Sequence, residues 1–345
     1  MTPTAERARA LHRDSLIIDG TIAYCDGYTD EFLAGNVAAV NVTICNFQAD
    51  FLEACELAAE WHARLGQAGS RWRLVERSAD IPAARKEGKV GLIMGWQNLR
   101  PIEDKLARLA LFHKAGLRMM QLTYNERNFV GDGCLEPNDG GLTPFGRRAI
   151  AEMNRLGIAV DLSHVGEKTC LGAVEASSLP VLLTHANARA VSNTLRNKSD
   201  HVIKAVAATG GLVGVSIHGA LCWRGDSSKP PSVEDFIANL DHMVDLVGID
   251  HVALGTDFVS VSEAGQATLE RMLRATRDRY PTFISKFVQA FGNDKGARYP
   301  RECPTPAHLH VVTEALVGRG WSDDAIRKVL GGNLMRVLPI VWREV

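Results

Sequence analysis

Two histidines and an aspartate carry the chemistry most legible in this chain. His164, His185 and Asp257 each follow a short apolar run, in Asp161-Leu-Ser-His164, Leu183-Thr-His185 and Leu254-Gly-Thr-Asp257. If those runs are neighbouring parallel strands about 4.8 Å apart, the two imidazoles can share one divalent ion. A Zn²⁺ held in that way lowers the pKa of a bound water towards about 7. Each histidine alone reads as a satisfied polar group at a strand end. The matched pair, with Asp257 two strands further on, favours the metal reading.

The elements that must position these residues alternate along the chain. Eight apolar runs of strand length begin at Ser15, Ala39, Val90, Arg118, Gly157, Pro180, Gly211 and His251, ending at Asp19, Ile44, Met94, Leu122, Asp161, Thr184, Ser216 and Gly255. Several are apolar on both faces, as buried parallel strands are. Helical patterns lie between them at 51–65, 102–115, 143–156, 167–177, 200–209 and 233–247. Thr143 is an expected N-cap, with Pro144 at the first helical position. Glycines mark the helix-to-strand joints at Gly116, Gly157, Gly210-Gly211 and Gly248.

Eight strand–helix units and the absence of a glycine-rich phosphate loop after the first strand predict an α/β fold, a (β/α)₈ TIM barrel, over a doubly wound open sheet. Residues 1–345 are read as one barrel domain. It carries an excursion at about 259–306 and closing helices after 307. In a barrel the residues just past the C-terminal strand ends face the site. That adds Thr21, Ala23 and Cys25, then Gln97, Tyr124, Asn125 and His218.

Composition bounds the partners. The 345 residues carry 39 Lys+Arg against 40 Asp+Glu, a formal net charge of −1. Such a balance offers no basic footprint for nucleic acid and no cationic face for a membrane. No stretch reaches the roughly 18–20 apolar residues of a membrane span. The seven cysteines form no C-x-x-C pair, and an odd count argues against a disulfide framework. Together with an N-terminus lacking a signal-like apolar run, this makes the cytoplasm the expected compartment.

As an ordered set, several motifs resemble the renal (membrane) dipeptidase family of metallopeptidases. They are Glu152-Met-Asn-Arg-Leu-Gly157, Asp161-Leu-Ser-His164, Thr184-His185, Arg196-Asn197 with Asp200, Gly248-Ile-Asp-His-Val-Ala-Leu-Gly-Thr-Asp257 and Gly331-Gly-Asn-Leu-Met-Arg336. The resemblance runs from about Asp14 to Val341. It implies an amidohydrolase-like barrel with two zinc ions bridged by a glutamate. It also implies His164 and His185 as ligands of one zinc, Asp257 as catalytic acid/base and Arg196 as the holder of a substrate carboxylate.

The resemblance breaks at the other zinc. The family's first strand ends in Asp-Gly-His-x-Asp, whereas this chain reads Asp19-Gly-Thr-Ile-Ala23. The bridging glutamate position is Gln97, and a substrate-contacting histidine position is Tyr124. Two divalent ions about 3.5–4 Å apart repel by roughly 17–19 kcal/mol even at an effective dielectric of about 20. A neutral Gln97 and Ala23 do not offset that.

The expectation is therefore one Zn²⁺ on His164 and His185, with Gln97, Asp257 or Cys25 completing it, or no ion at all. Cys25 also reads as a small buried filler. His218 is either a replacement ligand or a hydrogen-bonding wall of the substrate site, which Asn125 also lines. Tyr124 would donate to an oxyanion. The activity so implied is hydrolysis of a small carboxylate-bearing amide or dipeptide-like substrate by metal-activated water. The alternatives are a non-catalytic binder of a small carboxylate ligand and redirected lyase or isomerase chemistry. Pairing into a homodimer is compatible with such a barrel.

Overall fold

The computed structural model describes residues 3–23, 29–225, 229–259, 274 and 299–344. Ten strands form one all-parallel sheet: β1 (Ile17–Ala23), β2 (Val37–Thr43), β3 (Trp72–Leu74), β4 (Val90–Trp96), β5 (Leu117–Gln121), β6 (Ala159–Asp161), β7 (Leu182–Leu183), β8 (Leu212–Val215), β9 (Val252–Leu254) and β10 (Phe258–Val259). The order is β10-β1-β2-β4-β5-β6-β7-β8-β9, with β3 beside the first half of β4. The stretch β9–β10 closes the ring. Its first half pairs with β8 and its second with β1, where Ile22 registers with Phe258 and Asp257 N donates to Thr21 O at 3.0 Å.

All eight expected strands are present, and β3 and β10 are additional. Strands buried on both faces explain the apolar runs. One face contributes Ile18, Ala39, Ile93, Met119, Ala159, Leu182, Leu212 and Ala253 to an inner core. Leu334, Val337, Leu338 and Val341 of the C-terminal helix complete that core and plug the barrel's N-terminal end. The alternate residues, such as Val40, Leu92, Met120, Val160, Val213 and Leu254, pack outward against the helices.

The helices at Phe51–Leu65 and Val233–Val247 have the expected bounds. Thr143 caps Pro144–Leu156 by accepting from Gly146 N, and Gly157 ends it at φ 76°. Two expected helices are broken. The 102–115 pattern yields a 3₁₀ turn at Arg100–Ile102 and a helix only at Ala107–Lys114, because Glu103 turns the chain at φ 50°. The second of the closing helices expected after 307 splits into Asp323–Arg327 and Asn333–Val341. Gly331 packs so closely on Leu16 that a Cβ there would lie 2.0 Å from the Leu16 carbonyl oxygen. Most of the expected excursion at 259–306 lies outside the described residues, as does Cys25. The six described cysteines are free, and among the described residues no helix is long and apolar enough to cross a membrane.

Candidate active site

The site lies at the C-terminal ends of the strands, where the chain turns outward. Asp161 and Thr184 end β6 and the β7 stretch, and they build the frame. Asp161 Oδ1 accepts from Ser163 N (3.0 Å), Ser163 Oγ (2.6 Å) and Thr184 N (3.0 Å), and its Oδ2 accepts from Thr184 Oγ1 (2.7 Å). One buried carboxylate thus locks the two loops that carry His164 and His185. Burial pushes its pKa up, and these donors oppose the push. Glycines let the frame close: a Cβ on Gly214 or Gly255 would sit about 2 Å or less from the Thr184 carbonyl oxygen.

The two histidines meet, with Nε2 to Nε2 at 2.9 Å. Both are buried, and burial holds their pKa values well below the usual 6.5, so both are neutral near pH 7. The outer nitrogens decide where the remaining protons sit. His164 Nδ1 lies 2.7 Å from Asn125 Oδ1, an oxygen that only accepts. His185 Nδ1 lies 2.9 Å from Thr184 Oγ1, whose one hydrogen goes to Asp161 Oδ2. Both Nδ1 atoms therefore donate, and both Nε2 atoms present lone pairs to each other.

Facing lone pairs repel unless a cation lies between them. On a tetrahedral Zn²⁺ with bonds of about 2.0–2.1 Å, two nitrogens stand roughly 3.3 Å apart. An opening of roughly 0.4 Å from the observed separation would admit such an ion. The donor set, neutral imidazoles oriented by outer hydrogen bonds, suits zinc.

Around this pair, Tyr124 is sandwiched between Phe47 (centroids 4.0 Å, planes 4° apart) and His164 (4.1 Å). Burial, then the charge of Asp257, raises the phenol pKa, so Tyr124 stays a hydrogen-bond donor. Asp257 sits at φ 59° and Asn125 at φ 61°, strained backbone of the kind found at functional sites. Tyr299 OH donates to the Asp257 carbonyl at 3.0 Å, and its ring meets His218 edge-on at 5.5 Å. His218 Nδ1 accepts from Ala220 N at 3.2 Å, capping the short helix Gly219–Cys222.

Gln97 is buried beside the pair's sheet neighbours, its Nε2 donating to Thr43 Oγ1 at 2.8 Å. That leaves the amide oxygen as the group it can offer. Thr21, at a lost-ligand position, donates to Thr184 Oγ1 (3.0 Å) and accepts from Asn41 Nδ2 (3.0 Å). Among the described residues, no group of three or more His, Cys, Asp or Glu side chains is placed to hold a metal.

Arg196 is fully buried. It donates to the Ser163 carbonyl and, at 2.9 Å, to the His185 carbonyl, so it clasps both histidine loops. Burial lowers its pKa, and its Nε has no partner among the described residues. Trp96 packs edge-on against Phe112 at 4.5 Å, as a core residue. Phe47 and Tyr299 are the site residues that sequence reading missed. Phe47 lies past β2 in an irregular loop, and Tyr299 returns to the site only after the 260–298 stretch, so neither carries a spacing signal.

A closed parallel barrel with paired imidazoles at its C-terminal strand ends defines the amidohydrolase-like class. Sequence comparison narrows this. The family model for membrane dipeptidase (peptidase family M19) matches residues 28–277, and the chain belongs to that family. It is 28% identical over 273 residues to dipeptidase tcpJ of Claviceps purpurea, covering 78% of this chain and 55% of that protein. It is also 30% identical over 213 residues to the uncharacterized dipeptidase C965.12 of Schizosaccharomyces pombe, covering 61% and 50%. The chain spans about half the length of the curated relatives it matches. The crystal structure of an amidohydrolase from Pseudomonas aeruginosa superimposes with a TM-score of 0.86 at 32% identity, covering 97% of this chain and 99% of that one.

Proposed function

We propose that this protein is a metal-dependent hydrolase with a single-ion site, acting on an amide bond in a small substrate that carries a carboxylate. The observation behind the proposal is the 2.9 Å approach of His164 Nε2 to His185 Nε2, with each Nδ1 held by an oxygen acceptor. Thr21, Ala23 and Gln97 supply no anionic ligand for a second ion, which supports one ion rather than two.

His164 and His185 are the residues that would hold a Zn²⁺, the Gln97 amide oxygen would be a further neutral donor, and the ion would supply the Lewis acidity that makes water nucleophilic near neutral pH. The chain's own groups do the rest. The Asp257 carboxylate takes a proton from water and returns it to the leaving nitrogen. Tyr124, held protonated, donates to the developing oxyanion. Arg196, whose Nε has no partner among the described residues, is the cation assigned to a substrate carboxylate.

Metal analysis after zinc loading tests this. About one equivalent per chain is expected, falling in His164→Ala and His185→Ala. Uptake under roughly a tenth of an equivalent by the unaltered protein overturns it, since a fitting site should fill. Ligand binding that survives His164→Ala without metal would instead favour a non-catalytic binder.

A further inference from the structure

The geometry points to Asn125 as a positioning residue: its side-chain oxygen fixes His164 in the form protonated at Nδ1 and so aims the Nε2 lone pair at the metal position. This rests on the single-ion reading above. Asn125 is fully buried, and its Oδ1 lies 2.7 Å from His164 Nδ1 and 3.3 Å from Cys134 Sγ, so imidazole and thiol donate to the same oxygen.

The loop that carries Asn125 is clasped to His164 by its main chain as well. Cys134 N donates to the His164 carbonyl at 2.9 Å, and Leu135 N donates to the Asn125 carbonyl at 2.9 Å. A Cβ on Gly133 would fall 2.1 Å from the Asn125 carbonyl carbon, so the loop closes on itself only with glycine there. The φ of 61° at Asn125 is one that asparagine tolerates better than most residues.

The two ends of the amide have opposite consequences. Oδ1 towards the ring accepts Nδ1–H and leaves Nε2 bare. Nδ2 in its place would donate to Nδ1 and drive the ring proton to Nε2, where it would bond His185 and close the pocket to a cation. The oxygen faces the ring, and Nδ2 is left buried with no partner among the described residues. An orphaned buried donor in a native site calls for an explanation.

Two variants and two readouts test the assignment. Asn125→Gly removes the acceptor while suiting the left-handed backbone. Asn125→Asp keeps an acceptor oxygen in the same place. Ring ¹⁵N NMR of the metal-free protein, with the His164 signals assigned by their loss in His164→Gln, should show Nδ1–H in the unaltered protein and in Asn125→Asp. In Asn125→Gly that preference should vanish.

Zn²⁺ affinity, measured by chelator competition, should fall by about tenfold to a hundredfold in Asn125→Gly and be retained in Asn125→Asp. A residue that only packs would move neither the tautomer nor its rescue. An Nε2–H form in the unaltered protein, or an Nδ1–H form that persists in Asn125→Gly with unchanged affinity, overturns the assignment. If the unaltered protein takes up no zinc, the single-ion reading fails, while the tautomer measurement still decides the role of Asn125.

Discussion

Thr184→Val is the sharpest test of the frame that holds the site. The substitution keeps the shape and deletes one hydroxyl. That hydroxyl donates to Asp161 at 2.7 Å and accepts from His185 Nδ1 at 2.9 Å and Thr21 Oγ1 at 3.0 Å. Losing a hydrogen bond to a charged group costs about 1.5–3 kcal/mol, and leaving the His185 N–H buried and unpaired costs about 1–3 kcal/mol more. Thr21 can turn its hydroxyl elsewhere, so it is left out. The sum is roughly 3–6 kcal/mol, a large share of the 5–15 kcal/mol typical of a folded domain. With about 2.1 cal/mol/K of unfolding entropy per residue over 345 residues, the midpoint should drop by about 4–8 °C. Differential scanning calorimetry reads this directly. Zinc affinity should fall as well, because His185 loses the partner that keeps its proton on Nδ1. Thr184→Ser should restore most of both. A Thr184→Val midpoint within about 1 °C of the unaltered protein, with unchanged zinc affinity, would refute the reasoning.

Two further outcomes follow from the same structure. With zinc supplied, cleavage of simple dipeptides should be at least about a thousandfold slower than by a two-ion enzyme, since losing one Lewis acid costs several kcal/mol at the transition state; Thr21→His, Ala23→Asp and Gln97→Glu together should raise zinc uptake towards two ions, and robust dipeptide turnover by the unaltered protein would count against the depleted-site reading. The second outcome is a pair of opposed pH effects. Burial lowers His12 from 6.5 to about 4, so the unfolded chain binds that proton first and stability falls as pH drops from 6.5 to 4. Burial raises Asp19 from 3.8 to about 6, so the folded state binds that proton first and stability rises over nearly the same fall. Each effect is worth roughly 3 kcal/mol at about 1.36 kcal/mol per pH unit. Relative to the unaltered protein, His12→Asn should therefore lose stability less steeply between pH 6 and 4, and Asp19→Asn more steeply, in urea titrations at each pH.

The sequence by itself determined the ring of strands and the candidate ligands. A parallel strand buried on both faces must be apolar throughout, so the eight runs were visible without any partner, and the residues after them had to face the barrel mouth. His164, His185, Tyr124, Gln97 and Asp257 follow from that rule. What tertiary structure decided was everything set by approach between distant segments. The proton positions on the two imidazoles depend on Asn125 and on the Thr184–Asp161 pair, contacts that span 39 and 23 residues. Arg196 is amphipathic, and sequence cannot say whether its guanidinium reaches solvent or two backbone carbonyls inside the barrel. Phe47 and Tyr299 enter the site through irregular chain, where no period exists to read. The helix expected over 102–115 failed for a local reason, the left-handed turn at Glu103, but nothing in the glutamate's identity announces that turn. Periodicity reports which face of an element is buried; only the folded chain decides which atoms meet there and which of them carry the protons.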